Sequence, residues 1–167
     1  MNHQPTAFQL FLHRILMLKP VSALLSHILP PADEFALYLT RGKHTFAELV
    51  GLPVIELDTF GARTGLRRSH PLVGILDAEK FILVGSNFGN KHHPAWVHNL
   101  RAHPECVLHS NGRLGNYLAR ETDGEERTRY WNLALDYYKG YAAYEERAAP
   151  RKISVWILEP LTISQPD

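Results

Sequence analysis

The segment GARTGLRR, residues 61–68, places three arginines and a threonine between two apolar runs that are predicted to be β-strands. Guanidinium groups and backbone amides at a turn are the donors that bind a phosphate or a polycarboxylate. Gly61 and Gly65 are predicted to supply the positive φ angles of a tight turn between the strands. A hairpin needs no arginines, and the segment has the donors to bind an anion, but a solvated basic loop is the commoner use of such a turn and both interpretations stay open.

A second group of candidate residues lies in HPAWVHNL, residues 93–100. Pro94 suits the first turn of a helix, and the free amides behind it would face whatever lies at the helix N-terminus. Trp96 and Asn99 are three residues apart and so share one face of that helix. They either pack in the core or border a ligand.

Three tyrosines recur at three-residue intervals in YYKGYAAYEE, at Tyr138, Tyr141 and Tyr144. This spacing would align the phenols on one side of a helix unless Gly140 breaks it. Phenols that face a pocket can stack on a planar ligand or donate a proton, although core packing is the commoner use of tyrosine. The spacing alone leaves both roles open.

The composition is typical of one folded domain, with 167 residues of which 45% are hydrophobic and 21% charged. Because 18 Lys+Arg nearly balance 17 Asp+Glu, no overall field attracts nucleic acid, and any anion site must be local. The single cysteine, Cys106, favours a reducing, cytoplasmic location. A zinc site with His103 and His109 is disfavoured, since strand positions three apart point to opposite faces.

The elements that must position these residues are mostly short strands. Their connections are too short for parallel crossovers, so the expected fold is α+β, mainly β: an antiparallel barrel with inserted helices. DAEK (77–80) and SNGR (110–113) are predicted hairpin loops. Helices are predicted at 93–103 and after Asp123, with a capping box to Glu126. The predicted strands are Pro53–Phe60, His70–Leu76, Phe81–Gly85, Cys106–His109, Leu114–Arg120 and Ile153–Leu158.

Residues 1–50 are predicted to form a helical segment ahead of a barrel at 51–167, as one structural domain in all. Two amphipathic pieces meet at Pro20, and charged residues, histidines and prolines interrupt each apolar run before the ~20 residues that a membrane span requires. Two interpretations of the apolar stripe stay open. It packs on the core or on a second subunit of a homodimer, or residues 6–29 lie peripherally on the inner face of the membrane.

Six fragments of the chain, in order, resemble the deazaflavin-dependent nitroreductase family. The resemblance extends from Pro53 onward and implies a split antiparallel β-barrel that binds reduced coenzyme F-420, a deazaflavin with a phosphate and an oligoglutamate tail. It also implies an oxidoreductase that transfers a hydride to a small acceptor such as a quinone, an enone or a nitro-compound. The fragments are LPVIELDTFGARTGLRRSHPL, FILVGSNFG, HPAWVHNL, ETDGEERTRYW, YKGYAAYEERA and ILEP.

The resemblance also implies which residues form the site. Residues of the GARTGLRR segment would hold the phosphate and the glutamates, and those around Ser86 would border the deazaflavin. Tyr138, Tyr141 and Tyr144 would be the catalytic residues that shape the acceptor pocket, with Tyr141 able to protonate the reduced acceptor. The implied cofactor contacts are Arg63, Thr64, Gly65, Arg67, Arg68, Pro71, Val84, Gly85, Ser86, Asn87, Pro94, Ala95, Trp96 and Asn99.

The chain departs from the family pattern at three places. Ala62 stands where the family commonly has Arg or Lys, Val73 where it often has an aromatic residue, and Phe88-Gly89 where it usually has Gly-Gly. FMN, which binds related barrels and carries no oligoglutamate, therefore stays an alternative cofactor. A non-catalytic deazaflavin carrier stays the alternative to an enzyme.

Overall fold

The computed structural model describes residues 52–110 and 113–161. The predicted N-terminal segment, the domain boundary at residue 51 and the centre of the SNGR turn lie outside these residues. None of the described helices is long and apolar enough to cross a membrane. The strands are β1 Val54–Phe60, β2 Arg67–Asp77, β3 Lys80–Val84, β4 Glu105–Ser110, β5 Arg113–Glu121 and β6 Val155–Pro160, and the helices are α1 Ala95–Ala102, α2 Gly124–Tyr137 and α3 Gly140–Ala148.

The six strands pair antiparallel and close into a barrel in the order β1-β2-β3-β6-β5-β4. Hairpins pair β1 with β2, β2 with β3, and β4 with β5. The pairing of β3 with β6 joins the first three strands to the last three. The prediction of an antiparallel barrel with inserted helices is confirmed for the described residues.

Two apolar layers account for the hydrophobic runs of β3 and β6. One layer takes residues from all six strands and α1 and so fills the barrel interior, where Leu83 and Leu158 are buried. The other lies outside the barrel, between β2, β3, β6 and helices α2 and α3, and buries Ile82 and Ile157. Because neighbouring strand residues point to opposite faces, both faces of β3 and β6 are covered and neither strand shows polar alternation.

β2 begins three residues earlier than predicted. Arg67 pairs with Phe60 and Arg68 with Thr59, so these arginines are strand residues and the bend between the strands is confined to residues 61–66. The DAEK loop is also shorter than predicted, because Asp77 pairs with Lys80 and leaves two residues between the strands.

The predicted capping box of α2 is wrong. Asp123 precedes the helix without a side-chain capping bond. The carboxylate of Glu126 instead accepts two hydrogen bonds from the guanidinium of Arg120, at 2.6 and 2.8 Å. A bidentate ion pair to a neighbouring strand therefore replaces the local bond.

The three tyrosines do not lie on one helix, because α2 ends at Tyr137 and α3 begins at Gly140. A Cβ atom on Gly140 would lie 2.2 Å from Cζ of Tyr138. The glycine is needed because the ring of Tyr138 folds back over that position.

Candidate active site

The bend of residues 61–66, here called the arginine turn, is closed by its own backbone. The amide of Gly61 donates to the carbonyl oxygen of Leu66 at 2.8 Å, and that of Gly65 donates to Gly61 O at 2.7 Å. Gly65 has the predicted positive φ, +65°, but Gly61 does not. Gly61 instead leaves room for the Thr64 side chain, since a Cβ atom there would lie 2.7 Å from Thr64 Oγ1.

Asn99 fastens the arginine turn to α1. Its Oδ1 accepts a hydrogen bond from the amide of Ala62 at 3.0 Å, and its Nδ2 donates to Thr59 Oγ1 at 2.9 Å. Asn99 and Thr59 are both buried, and Nε2 of His70 lies 3.2 Å from the same hydroxyl. Burial lowers the pKa of His70, so its ring is neutral at pH 7. One end of the Asn99 amide therefore binds the turn and the other binds β1.

Asn99→Ala is expected to lower the free energy of unfolding by about 2 kcal/mol, because the Ala62 amide loses its acceptor and the buried Thr59 hydroxyl loses one of its hydrogen bonds. Urea unfolding measures this loss. Asn132→Ala on the exposed face of α2 is the control and should stay within about 0.5 kcal/mol of the parent. Equal stability of the two variants would contradict the role given to Asn99.

Arg67 is engaged within the protein. Its guanidinium donates to Oδ2 of Asp58, which also accepts a hydrogen bond from Nε2 of His109 at 2.8 Å. Burial alone would raise the pKa of Asp58, but the hydrogen bonds from Arg67, His109 and Ser69 outweigh it and hold that pKa below its usual value. Asp58 is thus an ionised carboxylate that fixes Arg67 against the barrel wall.

Arg63 and Arg68 are both exposed, and no described residue forms an ion pair with either guanidinium. Of the three arginines in this segment, only Arg67 has a carboxylate partner among the described residues. Other described arginines that pair with carboxylates are Arg101, Arg120, Arg127 and Arg129.

Residues 85–90 form a loop between β3 and α1, here called the β3–α1 loop. It contains one turn of 3-10 helix, Asn87–Gly89. Gly85 packs closely on α1, since a Cβ atom there would lie 3.1 Å from Cγ2 of Val97. The ring of Phe88 meets that of Tyr144 edge to face, with centroids 6.1 Å apart. The loop therefore bridges α1 and α3.

Tyr138, Tyr141 and Tyr144 meet although Tyr138 follows the end of α2 and only Tyr141 and Tyr144 lie on α3. Their ring centroids are 5.3 to 6.4 Å apart, and the hydroxyls of Tyr138 and Tyr144 lie at 3.1 Å. Each residue is only 4–5% exposed. Burial raises the pKa of all three phenols, so they are protonated at neutral pH.

The predicted site residues thus fall into three groups joined by direct contacts: the arginine turn bound to α1, α1 packed on the β3–α1 loop, and that loop resting on α3. Trp96 lies in the barrel interior beside Trp156. Pro94 precedes α1, whose first residue, Ala95, is exposed. Val84 is half-buried against the outer core layer. Pro71 lies opposite Glu56 in β2 and takes no part in the contacts above.

Arg151 is a residue of this region that the sequence patterns did not indicate. Its guanidinium donates to three backbone carbonyls of the β3–α1 loop. No local motif marks it, because its partners are up to 66 residues away in the chain.

The residues considered for zinc are separated in the fold. Cys106 is buried and donates to the carbonyl of Tyr117 at 3.6 Å, and burial raises the pKa of its thiol to about 12. His103 is exposed after α1, and His109 contacts Asp58. Within the described residues, no group of three His, Cys, Asp or Glu side chains could hold a metal ion.

Residues 34–160 match the family model described as F420H(2)-dependent quinone reductase. A curated F420H(2)-dependent quinone reductase of Mycobacterium tuberculosis is 27% identical over 109 residues, which cover 64% of this chain and 72% of that protein. The solved structure of an F420-H2 dependent reductase (FDR-A) is 34% identical with a TM-score of 0.60, covering 64% of this chain and 94% of that chain. Another solved structure, described as a domain-swapped dimer, is 30% identical with a TM-score of 0.61, covering 77% of this chain and 99% of that chain.

These matches confirm the predicted family, the split-barrel fold and the oxidoreductase class. They extend over most of the barrel and over nearly the whole length of both solved relatives. The chain is therefore a member of the F420H(2)-dependent quinone reductase family, oxidoreductases whose cofactor is the deazaflavin F420H2.

Proposed function

We propose that the arginine turn binds the phosphate and glutamate carboxylates of F420H2 through Arg63 and Arg68. The observation that carries this proposal is that both guanidiniums are exposed and lack a described ion-pair partner, whereas Arg67 beside them is bound to Asp58. A planar guanidinium donates two parallel hydrogen bonds to a carboxylate or phosphate, so the donor set fits this tail.

The rigidity of the turn supports the same role. Its backbone is closed on itself, and Asn99 ties Ala62 to α1. A binding loop that is already ordered loses little conformational freedom when the ligand binds. Thr64 Oγ1 accepts from the amide of Leu66 at 3.3 Å, so Thr64 orders the turn as well as offering a hydroxyl. Direct contacts from Arg67 and Pro71 stay predictions.

We place the deazaflavin ring beside the β3–α1 loop, where Ser86 and Asn87 are half-buried, and the acceptor beside the tyrosine cluster. When bound, F420H2 supplies a hydride in one two-electron step. The ring of Phe88 contacts the ring of Tyr144, and these two rings would offer apolar surface to the acceptor. Thus the loop and α3 orient the two reactants.

Tyr141 is the phenol best suited to donate a proton to the reduced acceptor. Tyr138 and Tyr144 hydrogen-bond to each other, whereas the Tyr141 hydroxyl has no hydrogen-bond partner among the described residues. Its raised pKa keeps the proton in place at neutral pH. Its role as donor requires a hydrogen bond to the acceptor oxygen within about 3 Å.

Turnover is tested with the purified full chain, F420H2 and a soluble naphthoquinone such as menadione, by following the absorbance of oxidised F420. We expect oxidation that requires both protein and quinone. Binding of F420H2 without oxidation, for quinones, enones and nitro-compounds alike, would instead favour a carrier. Equilibrium dialysis against FMN tests the alternative cofactor, which should bind more weakly because it lacks the glutamates.

We also propose that the chain self-associates, on the ground that a relative of 30% identity is described as a domain-swapped dimer. Light scattering after size-exclusion chromatography should give twice the mass of one chain. A single-chain mass at micromolar concentration would contradict this. Membrane contact by residues 6–29 stays a prediction, which sedimentation with anionic vesicles tests.

A further inference from the structure

The β3–α1 loop has an unusual backbone. Asn87 and Phe88 are adjacent and both have positive φ, at 47° and 53°. Residues other than glycine rarely adopt this region, and they keep it only where surrounding contacts enforce it. The Nδ2 of Asn87 donates to the carbonyl of His92 at 3.0 Å, which holds one of the two residues. The loop as a whole needs a stronger constraint.

Arg151 supplies that constraint. Its Nη1 and Nη2 donate to the carbonyls of Gly85 and Ser86 at 3.0 and 2.8 Å, and its Nε donates to that of Asn90 at 2.9 Å. The planar guanidinium thus binds both ends of the loop at once. A lysine ammonium is a single point of charge and cannot span the two ends in this way.

The environment of Arg151 points to this single use. No described carboxylate forms an ion pair with Arg151, in contrast to Arg127 on α2, which binds Glu145 at 2.9 Å. Burial lowers the pKa of Arg151, yet arginine stays charged in proteins. Among the described residues, the partners of this positive charge are therefore the three carbonyl groups of the loop.

The β3–α1 loop packs closely against α3. Gly89 has φ +81°, and a Cβ atom there would lie 3.0 Å from the carbonyl oxygen of Tyr144 and 2.9 Å from Cβ of Arg147. The neighbouring ring of Phe88 contacts the ring of Tyr144. Movement of the loop would therefore displace the wall that Phe88 and Tyr144 form together.

We propose that Arg151 is a positioning residue of the reductase reaction: by binding both ends of the β3–α1 loop, it fixes the spacing between the backbone at Ser86–Asn87 and the Phe88–Tyr144 wall. This inference rests on the proposed function, in which that backbone borders the deazaflavin and that wall borders the acceptor. Arg151 acts through the loop and makes no contact with either reactant. Its loss should impair use of the acceptor more than binding of the cofactor tail.

The clamp itself is tested by hydrogen exchange on the cofactor-free full chain. In Arg151→Gln, the amides of Gly89 and Asn90, which donate to Ser86 O and Asn87 O, should exchange at least tenfold faster. Arg120→Gln is the matched control, because it removes a bidentate guanidinium on the outer barrel wall and should leave these two amides unchanged. If Arg151→Gln does not fold, Arg151→Lys takes its place, with a smaller increase.

Positioning is tested by kinetics with menadione at a temperature where both variants are folded. Arg151→Gln should lower kcat/KM for the quinone at least tenfold while the Kd for F420H2 changes less than threefold, and Arg151→Lys should fall between. Phe88→Ala should reduce kcat/KM in the parent but have little further effect in Arg151→Gln, because the ring is already misplaced there.

The outcomes separate the two claims. Unchanged exchange in Arg151→Gln would overturn the clamp. Faster exchange with unchanged quinone kinetics would overturn the positioning role. If the parent protein fails to oxidise F420H2 with every acceptor tested while exchange rises as expected in Arg151→Gln, the proposed function fails and the positioning role fails with it, but the clamp on the loop stands.

Discussion

Replacing Arg63 and Arg68 together by alanine is expected to raise the Kd for F420H2 roughly a hundredfold. Each lost hydrogen bond between charged groups is worth about 1.5–3 kcal/mol, and exposure to water reduces that value. Every 1.4 kcal/mol is about a tenfold change in Kd, so two bonds at the weak end give this factor. Isothermal titration calorimetry measures it. The melting temperature should hardly change, because neither arginine has a described ion-pair partner to lose.

Salt and a matched arginine distinguish a specific site from general charge. Added salt should weaken F420H2 binding to the parent strongly and to the double variant little, since screening acts on the pairs that were removed. Arg129→Ala deletes an arginine exposed on α2 and should leave the Kd unchanged. An equal loss of F420H2 affinity in Arg129→Ala, or no loss of affinity in the double variant, would contradict the proposal that the arginine turn binds the cofactor tail.

Arg67→Ala should raise the Kd for F420H2 less than alanine substitution of either Arg63 or Arg68. Asp58 already holds this guanidinium, so its net charge toward a ligand is largely cancelled. The three arginines look equivalent in the sequence, and only the position of Asp58 across the β1–β2 pair distinguishes them. The sequence could therefore predict an anion site here but not which arginines serve it.

Hydrophobic runs were sufficient to locate β3 and β6, because both faces of these strands are buried. They can therefore be identified without knowing which strands they pair with. The start of β2 was missed for the opposite reason. Arg67 and Arg68 are polar and exposed, and they are strand residues only because Phe60 and Thr59 pair with them. The strand propensity of a local segment does not show which residues will pair across the sheet.

The contacts that the patterns did not predict share one property: the two partners are far apart in the chain. Asn99 binds an amide 37 residues earlier, and Arg151 binds carbonyls more than 60 residues earlier. The tyrosine spacing suggested one helical face, yet the residues meet because Gly140 makes room for the ring of Tyr138. The cluster was predictable from the sequence, but the route by which the fold assembles it was not.

The tyrosine cluster is expected to make the protein unstable in alkali. The folded protein holds the phenolic protons more tightly than the unfolded chain, because burial raises the pKa of all three tyrosines above the ordinary value of about 10. Their contribution to stability is thus fully present below pH 10 and is lost as the pH rises beyond it. Each phenol contributes a slope of up to about 1.4 kcal/mol per pH unit.

Three such phenols together could remove about 4 kcal/mol per pH unit, a large part of the ~5–15 kcal/mol that stabilises a typical domain. Urea unfolding between pH 9 and pH 11 measures the slope, and Tyr141→Phe should reduce it by one phenol's share. Tyr117→Phe, on β5 and outside the cluster, is the control and should leave it unchanged. Parallel stability curves for the parent and Tyr141→Phe would show that the buried phenol ionises without unfolding, and a proton donor that must stay protonated would then be a poor role for Tyr141.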